Sequence, residues 1–255
     1  MRKLSSLLLV AVMISILVTG CGKPAPSSSS SGPAESGSIA GQDPIKIGML
    51  EDLSGDFSLC GTYKTHAMEL AIKEINESGG LGRKLELVAP DCQSDNQRYQ
   101  EMARKLILED KVEVIMGGFS SASREAIRPI MEENKMLYFY NNQYEGGVAS
   151  HYTFCTGAIP EHQVMPLMEY MIQNFGPRVY TIAADYNFGQ LTAEWVKKAT
   201  EQYGGEIVGE EFLPLSVSQF SSSIDKIQKA KPDVLVVLLT GVTQSSFYGQ
   251  WATAG

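Results

Sequence analysis

A cluster of hydroxyl side chains directly follows a short apolar segment in the first half of this sequence. Residues 112–116 read VEVIM and end at the glycine pair 117–118, which predicts a strand buried on both faces. Ser120, Ser121 and Ser123 follow, where a helical pattern begins. Serine hydroxyls donate and accept hydrogen bonds without carrying charge, and a helix start adds unpaired N–H groups. The cluster predicts a site for a small polar ligand, although either of the first two serines would also serve as a helix cap.

The segments that position this cluster alternate between strand and helix patterns, which predicts an α/β fold with parallel, doubly wound sheets. The alternation restarts after Thr156, so we expect two lobes facing one another across a cleft, lobe one at 45–157 and lobe two at 158–255. The predicted strands are residues 45–50, 85–90, 112–116, 136–141, 178–185, 205–214 and 233–241, and the predicted helices are residues 63–78, 96–109, 123–134, 160–175, 189–203, 220–230 and a last helix beginning at 243.

Composition excludes several classes of function. The 255 residues are 44% hydrophobic and 20% charged, which is ordinary for a globular chain with a substantial core. The formal net charge of −8 and the lack of a basic block argue against a nucleic-acid partner. The three histidines are not spaced as a ligand pair, so no zinc site is predicted, and no motif requires a cofactor.

The N-terminus has the pattern of an export signal. Arg2 and Lys3 precede an apolar run at 7–18, which is too short for a membrane span. The string VTGC that ends at Cys21 resembles the bacterial lipobox. This resemblance implies that residues 1–20 are cleaved, that Cys21 carries lipid, and that the protein is extracytoplasmic and anchored to the bacterial cell membrane. The alternative is a plain secretory signal with a chance cysteine.

Residues 21–44 are rich in Ser, Gly and Pro and contain five consecutive serines. A segment of this composition cannot bury a core, so we predict a flexible tether between the lipid anchor and the folded lobes.

Ordered motifs from residue 45 onward resemble a known family. The LSG turn after the first strand, INESGG at the end of the first helix, and GRKLELV followed by DCQSD resemble the solute-binding proteins of ABC importers in the branched-chain amino acid group. The strings SASREAIRPI, YNNQYEG, TGAIPEHQ and AADYNFG are similar to the urea and short-chain amide branch. The resemblance implies the type I periplasmic-binding-protein fold, a binding rather than an enzymatic role, and ABC permease subunits as partners.

The same resemblance implies a set of ligand-binding residues. Those of lobe one are Phe119, Ser121, Tyr140, Asn142 and Gln143, and those of lobe two are Asp185, Tyr186, Phe188 and Thr240. Hydroxyls, amides and aromatic rings suit a small neutral polar ligand, so urea or a short-chain amide is expected. An amino acid would need a carboxylate for its ammonium group, and Asp185 and Glu145 are the acidic residues nearby. The aromatic residues also fit a packed core or loop, and Asp185 also fits a helix cap.

Three cysteines remain beyond Cys21. Cys60 and Cys92 each follow a predicted strand on the same sheet edge, which leaves a disulfide between them open. Cys155 is expected to be a buried free thiol. No histidine or other base can be assigned to these sulfurs, so nucleophilic catalysis is not predicted.

Two expectations concern the whole protein. Chains of the resembled family normally continue beyond the point reached by residue 255, so we expect lobe two to be incomplete. Besides urea or amide import, three alternatives stay open: a branched-chain amino acid binding protein, a ligand-sensing module of the same fold, and an extracytoplasmic hydrolase that uses Cys155 or Asp185.

Overall fold

Strands and helices alternate along residues 43–254, the part of the chain that this computed structural model describes. The elements are β1 (Ile45–Leu50), α1 (Ser58–Glu77), β2 (Leu85–Val88), α2 (Asn96–Leu108), β3 (Val114–Gly117), α3 (Ser121–Asn134), β4 (Tyr138–Tyr140), β5 (Thr153–Cys155), α4 (Pro160–Phe175), β6 (Arg178–Ala184), α5 (Asn187–Gln202), β7 (Glu206–Leu213), α6 (Ser221–Ala230), β8 (Val234–Leu238) and α7 (Gly241–Ala254). The predicted signal peptide, the predicted lipidation site at Cys21 and residues 21–42 of the predicted tether lie outside the described residues.

The strands form two sheets in which all strand pairs are parallel, which confirms the predicted α/β class. One sheet has the order β2-β1-β3-β4-β5 and the other the order β7-β6-β8. The direction of winding reverses between β1 and β3 in the first sheet and at β6 in the second. Loops at the carboxyl ends of the strands at such a reversal separate from one another and leave a crevice for a ligand. The predicted lobe boundary at 157 falls between β5 and α4, and we keep the names lobe one and lobe two.

The helices cover the sheets with apolar stripes of helical period. In α3, Ile127, Ile130 and Met131 recur at intervals of three and four residues and are buried in the core of the first sheet. The second sheet has one buried cluster around Met168 and another around Phe220. The folded lobes therefore bury apolar side chains as the sequence pattern predicts.

The largest differences from the prediction are at α1 and β5. Helix α1 begins at Ser58, five residues before the predicted start at 63, because Gly61 packs its backbone against Asp52. A Cβ atom at Gly61 would lie only 2.1 Å from the Asp52 carbonyl oxygen, so this contact requires glycine. The sequence pattern also missed β5, whose three residues are too few to show a periodicity.

The interpretation that Cys60 and Cys92 form a disulfide is wrong, since both are free thiols in the structure. Cys60 lies on α1 and lines a cavity, whereas Cys92 is fully buried in the core of the first sheet. Burial raises the pKa of the Cys92 thiol far above its ordinary value. Cys155 is free as expected, although it lies half-buried on β5.

Between residues 43 and 254, no helix is both long enough and apolar enough to cross a membrane. Within the same range, no three His, Cys, Asp or Glu side chains come together as metal ligands.

Candidate functional site

The loop between β3 and α3 brings the serine cluster to the carboxyl edge of the first sheet. Gly117 and Gly118 have φ angles of +107° and +87°, which suit glycine. A Cβ atom at Gly118 would lie 2.6 Å from the Tyr138 hydroxyl oxygen, so only a residue without a side chain allows this close packing. Ser120 is the N-cap of α3, and its Oγ accepts a hydrogen bond from the backbone N–H of Ser123 at 3.0 Å. The capping role therefore belongs to Ser120, and Ser121 is left for another partner.

That partner is Glu145. The Ser121 hydroxyl donates to Glu145 Oε2 at 2.5 Å, and Arg124 Nη2 donates to Glu145 Oε1 at the same distance. Only 1% of the Arg124 side chain and 4% of the Glu145 side chain are exposed. The Arg124 guanidinium also lies 4.9 Å from the Tyr140 ring centroid and 5.3 Å from that of Tyr144.

The charges of this pair stabilise one another in the interior. Burial alone would lower the pKa of Arg124, but hydrogen bonding and attraction to Glu145, with a smaller contribution from Glu125, raise it above its ordinary value. Arginine stays protonated at all ordinary pH values, so the guanidinium of Arg124 neutralises the charge of the Glu145 carboxylate locally.

The carbonyl oxygen of Phe119 organises the end of β4. The Tyr140 hydroxyl donates to it at 2.7 Å, and the side-chain nitrogen of Asn142 donates to it at 2.8 Å. Burial raises the pKa of Tyr140 well above its ordinary value, so the hydroxyl keeps its proton. The two side chains are thereby held beside Ser121.

Lobe two contributes residues from the carboxyl ends of β6 and β8. Tyr186 is the N-cap residue of α5, Phe188 lies in the first turn of that helix, and Thr240 follows β8. Burial raises the pKa of Tyr186 to about 12, so its hydroxyl is neutral at physiological pH. The Thr240 hydroxyl oxygen is buried and has no hydrogen-bond partner among the described residues.

These residues meet in one small cavity with an empty volume of about 220 Å³. Its lining consists of eight of the nine predicted ligand-binding residues: Phe119, Ser121, Tyr140, Asn142, Gln143, Tyr186, Phe188 and Thr240. Aromatic rings connect the two lobes at this level, because the Phe57 ring lies 4.8 Å from that of Phe119 and 6.3 Å from that of Tyr186. A larger, mostly apolar cavity adjoins it and is lined mainly by α4, α5 and β8.

Asp185 is the one predicted site residue that the structure does not bring to the small cavity. Its side chain is exposed and accepts a hydrogen bond from Gln190 Nε2 at 2.7 Å. It does not cap α5 either, since the N-cap residue is Tyr186 and no side chain caps that helix end.

Sequence reasoning missed the role of Arg124, which lies one helical turn after Ser121 but 21 residues from Glu145. No local pattern predicts such a pairing. It missed a second ion pair nearby, in which the partly exposed Lys64 places its Nζ 2.5 Å from Oε1 of the buried Glu51 and donates to the Gly118 carbonyl at 2.8 Å. Burial raises the pKa of Glu51 to about 7 despite the attraction of Lys64.

Comparison with known proteins agrees with this fold. Residues 44–255 match the family model of periplasmic binding proteins. The Leu/Ile/Val-binding protein homolog 8 of Brucella abortus is 26% identical over 205 residues, an alignment that covers 75% of this chain and 51% of the relative. The chain thus spans about half the length of the curated relatives it matches.

Solved structures with the same fold include two solute-binding proteins. An ABC transporter substrate-binding protein from Sphaerobacter thermophilus is 26% identical with a TM-score of 0.70, covering 84% of this chain and 60% of that one. The branched-chain amino acid transporter protein LivJ of Streptococcus pneumoniae, solved with isoleucine, is 20% identical with a TM-score of 0.74, covering 84% of this chain and 62% of that one. The match over residues 44–255 shows that this chain belongs to the periplasmic binding protein family.

Proposed function

We propose that this chain provides the ligand site of a solute-binding protein that delivers urea or a short-chain amide to an ABC importer, without chemical turnover. The observation that carries the proposal is the uncharged wall of the small cavity. All eight lining side chains are neutral at physiological pH, and the carboxylate that contacts one of them, Glu145, is paired with Arg124. A charged ligand would lose water there without a free opposite charge to compensate it.

The size and walls of the cavity also fit a small planar molecule. The cavity is small, and urea and acetamide have only four heavy atoms each. The rings of Phe119, Tyr186 and Phe188 offer flat faces against which a planar amide can pack. The Thr240 hydroxyl is available as a donor to a carbonyl oxygen.

Binding of this kind links the two lobes. A ligand that contacts Ser121 and Tyr140 from lobe one and Tyr186 from lobe two makes more contacts when the lobes are close together. This difference in binding free energy favours the closed arrangement, which a membrane permease would then recognise. A ligand-sensing protein would use the same step, and only an uptake assay in cells distinguishes it from an importer.

A branched-chain amino acid is the second candidate. It is favoured by the names of the Brucella relatives and by the larger apolar cavity beside the polar one, which has room for an aliphatic side chain. The ammonium group argues against it, because Glu145 is already paired and Asp185 lies outside the cavity.

Isothermal titration calorimetry of the purified chain with urea, acetamide and leucine tests the proposal. We expect heat of binding with urea or acetamide and none with leucine. Binding of leucine without binding of either amide would overturn the assignment in favour of the second candidate. Release of ammonia from the bound amide would instead indicate a hydrolase, and the Asp185→Asn and Cys155→Ala variants would identify its nucleophile.

We also propose that the chain is exported and lipidated at Cys21. Replacing Cys21 with alanine should move the protein from the membrane fraction to the soluble extracytoplasmic fraction. An unchanged membrane fraction in the Cys21→Ala variant would contradict a lipid anchor at this residue.

A further inference from the structure

The Ser121 hydroxyl already donates its proton in a hydrogen bond within the protein when no ligand is present. Its oxygen lies 2.5 Å from Glu145 Oε2, while Glu145 Oε1 accepts from Arg124. A carboxylate held by arginine has no proton to give, so Ser121 must be the donor in this hydrogen bond. A hydroxyl has one proton and two lone pairs, so the Ser121 oxygen can act only as an acceptor toward the cavity.

The neighbouring side chains of lobe one also donate hydrogen bonds to partners within the protein. A backbone carbonyl can only accept, so Tyr140 gives its single proton to the Phe119 oxygen at 2.7 Å. The side chain of Asn142 must present its nitrogen to that same oxygen, where the distance is 2.8 Å. The Ser121 and Tyr140 oxygens on the wall of lobe one therefore both offer lone pairs rather than protons.

We propose that Arg124 and Glu145 are positioning residues that make Ser121 a hydrogen-bond acceptor, so that lobe one selects a ligand for its N–H groups. This inference rests on the proposed function, since it assumes that the small cavity binds the ligand. It also gives the ligand an orientation. The N–H groups of an amide face Ser121 and Tyr140, and its carbonyl oxygen faces the Thr240 hydroxyl of lobe two.

The Arg124–Glu145 pair is rigid because it is buried and because Arg124 contacts several other side chains. The Arg124 guanidinium contacts the rings of Tyr140 and Tyr144 and also donates from Nε to Glu125 Oε1 at 2.9 Å. Removing one member of a buried pair leaves an uncompensated charge, so the pair resists rearrangement when a ligand binds. A ligand that lacks an N–H group must then place an acceptor against the Ser121 lone pairs.

An amide and an ester of the same shape test the inference. N-methylacetamide and methyl acetate differ in one group, an N–H in the amide and an oxygen in the ester. Calorimetric titration of the purified chain should give a dissociation constant about tenfold lower for the amide, since a buried polar group without a partner costs about that factor.

The Glu145→Gln variant should abolish this preference. Arg124 can only donate, so the new amide must turn its oxygen toward Arg124 and its nitrogen toward Ser121. Ser121 then accepts from residue 145, and its own proton becomes free for the ligand. We expect the amide-to-ester ratio to fall to about one or below, about a tenfold change from the ratio of the unmodified chain.

Glu125→Gln is the matched control, because Glu125 contacts the same arginine without touching Ser121. It should leave the amide-to-ester ratio within about twofold of the original, which separates the polarity of Ser121 from a general effect of the arginine's charge. Ser121→Ala removes the acceptor itself and should also lower the ratio toward one. Circular dichroism and thermal unfolding establish that each variant is folded.

The outcomes separate this inference from the proposed function. If the unmodified chain binds none of urea, acetamide and N-methylacetamide, the proposed function fails and this inference fails with it. If it binds amides but folded Glu145→Gln keeps the same ratio, the inference alone is overturned. Should Glu145→Gln not fold, the Ser121→Ala variant decides, and an unchanged ratio in that variant overturns the inference.

Discussion

The two walls of the small cavity differ in how their polar groups are held. In lobe one, the hydroxyls of Ser121 and Tyr140 already have protein partners in the interior. In lobe two, the Thr240 hydroxyl has no partner within residues 43–254, although it is buried. Groups that are held in position before binding lose little conformational entropy when the ligand arrives. We therefore expect the ligand to dock on lobe one first and to complete its hydrogen bonds with lobe two.

This difference between the lobes predicts different effects of substitutions on the free energy of unfolding and on ligand affinity. Substitutions in lobe one break hydrogen bonds that the empty protein already makes, so they should change both the free energy of unfolding and ligand binding. The Tyr186 and Thr240 hydroxyls of lobe two interact with one another rather than with the rest of the chain, so their substitution should change binding more than stability. We expect the largest effects on stability in lobe one and the smallest in lobe two.

Arg124→Met should lower the free energy of unfolding by about 3–5 kcal/mol, because it leaves Glu145 buried without its partner. Guanidinium chloride denaturation is the suitable measurement, since urea is an expected ligand. Arg128→Met is the control, because Arg128 is partly exposed and pairs with Glu125 on the helix surface, and it should cost less than about 1 kcal/mol. Equal costs for the two variants would contradict a structural role of the buried pair.

The buried Glu51 predicts a pH dependence of stability. Its pKa is about 7 in the folded chain against an ordinary value of 4.5, so the folded state binds the proton more tightly. The stabilisation is complete below about pH 4.5 and is lost as the pH rises through about 7, by on the order of 3 kcal/mol. Denaturation at pH 4.5 and pH 8 should show this loss, and Glu51→Gln should reduce it. An identical pH dependence in the variant would rule out Glu51 as its source.

Gly118→Ala should lower the free energy of unfolding by about 1–3 kcal/mol and weaken ligand binding. Its φ of +87° is unfavourable for alanine, and the new Cβ would press on the Tyr138 hydroxyl. Gly146 is the matched control, since its φ of +82° is similar but no atom lies within 4 Å of the added Cβ. Gly146→Ala should therefore show only the smaller backbone cost, about 1 kcal/mol. Equal losses of unfolding free energy in Gly118→Ala and Gly146→Ala would show that the contact with Tyr138 is unimportant.

Tyr186→Phe and Thr240→Val should leave the free energy of unfolding within about 0.5 kcal/mol of the original value. Each should nevertheless weaken amide binding by about fivefold to tenfold, the effect of one lost hydrogen bond to a ligand. Tyr140→Phe is the comparison in lobe one, since it also removes the bond to the Phe119 carbonyl and should cost about 1 kcal/mol of stability. Calorimetry together with guanidinium chloride denaturation measures both quantities, and a stability loss in Tyr186→Phe equal to that in Tyr140→Phe would remove the contrast between the lobes.

The convergence of the polar residues was predictable because it follows from strand ends. Ser121 follows β3, Asn142 follows β4 and Tyr186 follows β6, and parallel strands bring their carboxyl ends to one edge of a sheet. Asp185 is adjacent to Tyr186 yet lies outside the cavity, since its exposed side chain bonds to Gln190. The side chains of adjacent residues can point in different directions. The sequence pattern does not predict which of two adjacent side chains faces the cavity.

The sequence by itself determined the α/β alternation, the apolar faces of helices such as α3, and the edge at which hydroxyls and aromatic rings gather. These features depend on periodicities and turn residues that lie within a few positions of one another. Only the tertiary structure decided that Glu145 pairs with Arg124, that Cys60 and Cys92 remain apart, and that Gly61 lets α1 begin early. Those outcomes depend on contacts between distant segments, and such contacts exist only after the chain has packed.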